Sequence, residues 1–302
     1  MNTTRLTTKI IWLGLAVSLT IRGGAHLAWQ MDVVRTPGSG LWIAENALKT
    51  GALCLGYLPA LLLNLEIAKE HRQTRWLHAA WLALAANAGV SIVRMIVESS
   101  LLNLAWPGYT RTPLWGLLQH LAIVPANLFL LLGLLAMWWA YQQVGLGFTV
   151  EKRDYAVLVG ILVLMFLLLF YREGLSEARS PYAAGRWLQI GGLMLLSLCA
   201  AASFVLYRQA TQMGGGKLAV ALRFLTFYTL LRGALVLIQA EYRVGLLDGR
   251  AANKFYPILF DLGWQAVPWI AALAAAYRVE LTAHAAKELQ QQRAARAALA
   301  SV

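Results

Sequence analysis

An all-α, polytopic membrane helix bundle of about eight transmembrane helices is the fold class this sequence predicts. Three observations predict it. Hydrophobic residues fill 59% of the 302 positions and charged residues only 13%, with mean hydropathy +0.58; a soluble domain of this length carries about twice that charge. Apolar residues recur in runs of about 20, the length that crosses a hydrocarbon layer. The runs are continuous rather than alternating, which favours helices over closed barrels, the other structure that satisfies its backbone in lipid. Tryptophans such as Trp12, Trp76, Trp106, Trp139 and Trp187 sit near run ends, where aromatic rings anchor at the interface.

The first span is expected over 10–29. It follows Arg5 and Lys9 and runs through Arg22 and His26 to Trp29 without a convincing cleavage site, so it reads as a retained span rather than a signal peptide. The second, 44–66, begins with Glu45 and Lys49 and contains Pro59. The third, 77–101, carries Arg94 and Glu98, and the fourth, 114–141, carries His120 and Pro125. The fifth, 155–171, has no polar side chain between Val157 and Phe170 and is expected to face lipid. The sixth, 187–207, offers Gly191, Gly192, Ser197 and Ser203, a small-residue face suited to close helix contact. The seventh, 219–240, holds Arg223 and Arg232; the eighth, 255–277, holds Asp261 and Pro268. Each internal proline frees a backbone carbonyl and can kink its helix.

Four spans lie in residues 1–145 and four in 146–278, and the segment 279–302, rich in Ala, Gln, Arg and Lys, reads as a helical cytoplasmic tail. That tail is a candidate docking element for a protein partner. Short connections leave no room for a second, soluble domain. Two stretches hint at a repeat of the four-helix half. Val93–Glu98 with the following Pro125 span resembles Leu231–Glu241 with the following Pro268 span. Four spans per half would make such a repeat parallel.

The net charge is +12, but the basic residues flank hydrophobic runs, so they point to topology and not to nucleic acid. Thirteen Lys and Arg fall on the side holding both termini and eight on the other. The positive-inside rule then places both termini in the cytoplasm, with a bacterial inner (plasma) membrane as the expected location.

Ionisable residues inside the spans carry the functional signal, because charge in lipid is costly and usually faces a bundle interior or wet cavity. With this topology, Arg22, His26, Arg94, Glu98, His120, Arg232 and Asp261 all fall in the outer-leaflet half, and the inner half is expected to be almost free of charge. Arg22/His26, Glu45/Lys49 and Arg94/Glu98 are spaced i,i+4, so each pair projects from one helix face. The seven residues form the candidate ligand-binding set. The bland alternative is helix-end charges snorkelling to the interface, favoured for Glu45, Lys49 and His26.

Other chemistry has little sequence support. No P-loop, GxSxG or HExxH occurs. His26 and His120 could in principle hold a haem, although lone histidines on separate spans are more often ordinary polar contacts. His26, His120, Glu98 and Asp261 lack a metal-ligand spacing. Cys54 and Cys199, within apolar runs, read as small buried hydrophobes. The sequence names no cofactor.

Residues 225–261, with LLRGALVLIQAEYRVGLL followed by NKFYPILFD, resemble the last two spans of the fungal lipid-translocating exporter family. Arg232, Phe255, Tyr256, Phe260 and Asp261 match its pattern. Gln239 stands where that family has Glu, and Asn253-Lys254 where it has His-Glu; that family also has seven spans. The resemblance implies handling of sphingoid or sterol-like lipids. The leading expectation is therefore a protein that binds or translocates an amphipathic small molecule or lipid through a polar cavity in the outer-leaflet half, with membrane lipids as its surroundings. Two alternatives stand beside it: a sensory or scaffolding module acting through the C-terminal helix, and an intramembrane enzyme near the extracytoplasmic surface. Enzymatic activity is the less expected of these outcomes.

Overall fold

The computed structural model describes residues 3–30, 40–97, 113–143, 151–163, 183–212, 216–244 and 261–281, and these are helical almost throughout. The helices are α1 Thr3–Gln30, α2 Gly40–Glu70, α3 Arg75–Arg94, α4 Pro113–Gln143, α5 152–163, α6 Ala183–Gln212, α7 Gly216–Val244 and α8 261–281. All eight expected spans coincide with one of them, the third, fifth and eighth over the described part of their length. Among the described residues, six helices are long and apolar enough to cross a membrane: α1, α2, α3, α4, α6 and α7. The chain is a multi-pass helical membrane protein.

Neighbouring helices alternate in direction. We call the end where α1 starts and α2 finishes the near face, and the opposite end the far face. A tight turn joins α2 to α3. There His71 Nδ1 meets the Ile67 carbonyl at 2.9 Å and His78 Nδ1 meets the Ala68 carbonyl at 2.7 Å, adding side-chain partners to two carbonyls that also accept the His71 backbone N–H. The pairs α2–α3, α3–α4, α4–α6 and α6–α7 pack extensively, while α1 touches α2 far less. Small residues allow the closest approaches. The Asn127 side chain donates to the Gly192 carbonyl at 3.0 Å, where α4 crosses the small face of α6.

The core gathers around α8. Val267, Ala272 and Leu273 are fully buried, with Ile270, Ala275 and Ala276 nearly so. This helix carries Gln265, Pro268, Arg278 and many alanines, and it is not among the six apolar spans. A helix shielded by its neighbours needs small residues for close contact more than it needs greasy ones. Trp269 wedges between α1 and α2 at two glycines. A Cβ at Gly56 would lie 2.9 Å from Pro268 Cβ and 3.0 Å from Trp269 Nε1, and one at Gly14 would collide with the Trp269 ring. Lipid-facing positions are apolar and exposed, as at Leu13, Leu55, Leu62, Val159 and Val163.

Candidate functional site

The seam between α1 and α8 carries polar contacts on both sides of the Gly14–Trp269 packing. From the near face, Thr8 donates to Glu280 at 2.5 Å and Trp12 Nε1 donates to Tyr277 Oη at 3.4 Å. Deeper, Gln265 Nε2 donates to Ser18 Oγ at 2.7 Å, and Arg22 forms an ion pair with Asp261 in the far half. These bonds run two helices antiparallel although their residues lie far apart in the chain. A hollow of about 220 Å³, counting its open mouth, lies beside the ion pair. Ser18, Arg22, Lys49 and Gln265 form its polar wall, and Ile21 and Leu48 flank it on the outside. Ile21 is 42% exposed and Leu48 59%, so the hollow opens sideways toward the lipid.

Arg232 is not part of that hollow. It is 3% exposed, in the middle of the bundle. Its Nη1 donates to Tyr228 Oη at 2.8 Å, and its guanidinium carbon stands 5.8 Å from the Tyr228 ring centroid. Tyr228 in turn donates to Asn87 Oδ1 at 3.1 Å, and Asn87 Nδ2 donates to the Ala126 carbonyl at 2.7 Å. This chain links α7, α3 and α4. Beside it, the Ser203 and Thr229 hydroxyls share a 2.9 Å bond, and Thr226 donates to the Ser203 carbonyl at 3.0 Å.

A second hollow, of about 470 Å³ with its open mouth included, lies in the near half among α2, α3, α4, α7 and α8. Asn64, Trp81, Asn87, Tyr228 and Arg278 bring polar groups to a wall otherwise of Ala and Leu. The hollow is narrow, with space for water and little more.

Of the seven residues expected to bind a ligand, the structure brings Arg22 and Asp261 together. Arg232 is instead enclosed by Tyr228 and its neighbours, and Arg94 lies partly exposed at the far end of α3, outside both hollows. Glu98 lies outside the described residues; so do the side chains of His26 and His120. Lys49, for which snorkelling is the favoured expectation, lines the far hollow. The near half is also less bare than charge position suggested. Arg278 enters the near hollow and Glu280 is buried against Thr8, because α8 stays helical and enclosed past the expected end of its span. Asn64, Trp81, Asn87 and Tyr228 carry no charge, so only helix packing could reveal that they converge. Among the described residues, no group of three His, Cys, Asp or Glu side chains could hold a metal ion.

Compared with known proteins, the chain matches no family model, no curated protein and no solved structure.

Proposed function

We propose that this chain binds or translocates an anionic amphiphile in the far half of the bundle, its head group beside Arg22 and Lys49 and its tail leaving between α1 and α2. The observation that carries this reading is the sideways opening of the far hollow. Two cationic side chains and the polar Ser18 and Gln265 stand at its wall, and lipid-facing Ile21 and Leu48 flank its mouth. The sparse contact between α1 and α2 supports the same exit. Asp261 holds Arg22 in place, so the arginine is positioned before a head group arrives. By the Lys and Arg balance the far half is the outer leaflet. The resemblance of 225–261 to lipid-translocating exporters points to the same class of cargo.

The test is native mass spectrometry of the purified protein titrated with phosphatidylglycerol and, separately, phosphatidylcholine. The anionic lipid should bind preferentially. Lys49→Gln should weaken that binding roughly fivefold, the worth of one lysine near an anionic head group. Ala52→Trp, which fills the hollow, should abolish the preference. Wild-type binding in both variants would exclude this site.

A further inference from the structure

The near hollow holds hydrogen-bonding capacity that the α1–α8 seam and the far hollow do not use. Trp81 is 4% exposed, and its indole Nε1–H has no partner among the described residues. The Arg278 Nε–H is likewise buried without one. Asn64 is 7% exposed and makes no side-chain hydrogen bond with the described residues. All three line the same space. An indole and a guanidinium can only donate, and a buried donor left unpaired is costly.

Charge points the same way. Arg278 Nη2 lies 3.2 Å from His71 Nε2, while His71 Nδ1 faces the Ile67 carbonyl. A guanidinium only donates, so Nε2 is the acceptor and the imidazole brings Arg278 no negative charge. No carboxylate among the described residues pairs with Arg278; that of Glu280 takes the Thr8 hydroxyl. At the other end of the hollow, Tyr228 accepts from Arg232, another buried guanidinium with no carboxylate partner among them. Two positive groups therefore flank a space whose unpaired groups are chiefly donors. Water would relieve the donors and leave the charge. An anion would relieve both. The space among the five helices takes a halide, which is little larger than water, whereas a phosphate is too broad for it; the far hollow is narrower still and meets a head group only at its lipid-side mouth.

We propose that the near hollow is a binding site for a small inorganic anion of halide size, held by the N–H groups of Trp81 and Arg278 and the side-chain amide of Asn64. This site is separate from the far hollow and does not depend on the amphiphile reading. The test uses the full chain in detergent, melted in sodium chloride, sodium bromide and sodium gluconate at equal ionic strength. Chloride and bromide should raise the melting temperature saturably above gluconate. Trp81→Phe keeps the ring and removes the N–H, and should shift the halide midpoint roughly tenfold upward. Arg278→Gln should abolish the halide effect, and Lys49→Gln should leave it intact. Bromide-soaked crystals of the wild type should show an anomalous peak between Trp81 and Arg278, a readout that needs no variant to fold. Equal melting in gluconate and halide, a midpoint unmoved in Trp81→Phe, or bromide located elsewhere would each overturn the proposal.

Discussion

A guanidinium inside a bilayer has to be answered locally, and the arginines of this chain are answered in different ways. Arg22 meets a carboxylate, Arg232 a tyrosine hydroxyl and ring, and Arg278 an imidazole. At the near face, Arg208 clasps Asp154 with two bonds, Nε to Oδ1 at 2.7 Å and Nη2 to Oδ2 at 3.3 Å, tying α5 to α6. The Arg208 hydrogen bonds hold the Asp154 carboxyl below its ordinary value of 3.8. A carboxyl lowered by folding contributes stability that is fully present above that ordinary value and lost as pH falls through the lowered one. Asp154→Asn should therefore destabilise the protein at pH 7, and the deficit should shrink as pH drops below about 4. Unfolding midpoints of both proteins across pH 3–7 check this; a deficit constant with pH would contradict it. Arg22, Arg232 and Asp261 were legible in the sequence because a charge stands out in an apolar run. Asn64, Trp81, Asn87 and Tyr228 were not, because a neutral polar side chain announces nothing until its neighbours across the bundle are known.

At the scale of the helix, length and apolarity made the six membrane-crossing helices readable, while the role of α8 was hidden. A hydropathy window favours helices that face lipid, and α8 faces other helices with alanine, Gln265 and Pro268. What fits it into the centre is the space left by glycine on α1 and α2. Gly56→Val would drive side-chain carbons into Pro268 and Trp269, neither of which can swing aside. It should cost about 1–3 kcal/mol, measured by chemical unfolding in detergent. Gly51→Ala is the matched control, since nothing lies within 4 Å of its added Cβ. That variant should be neutral or slightly stabilising. Equal losses in the two variants would mean that Trp269 is not tightly seated.

For the molecule as a whole, an even count of spans returns the chain to the near face, as the turn at 71–74 and the start of α5 at 152 show. Single cysteines at Arg72 and Lys152, introduced after Cys54 and Cys199 are replaced, should react with an impermeant maleimide from one and the same side. A cysteine at Gly40 should react from the other. By the Lys and Arg balance, the first two should label only after the membrane is opened. Labelling of 72 and 152 from opposite sides would break the alternation of helices. Charge in the flanks gives an expectation of which face meets the cytoplasm, and the labelling tests it; which helices touch is set by shape, so the sequence did not show it.

The seam between α1 and α8 has a consequence for biogenesis. Arg22 precedes Asp261 by 239 residues. While the ribosome makes the intervening segments, the guanidinium lacks this carboxylate, and a charge short of its acid resists leaving water or the insertion machinery for lipid. The earliest of these helices to be translated is thus among the latest to settle. Its final docking waits on the emergence of α8, so a nascent chain stalled before Asp261 should hold α1 in a half-released state.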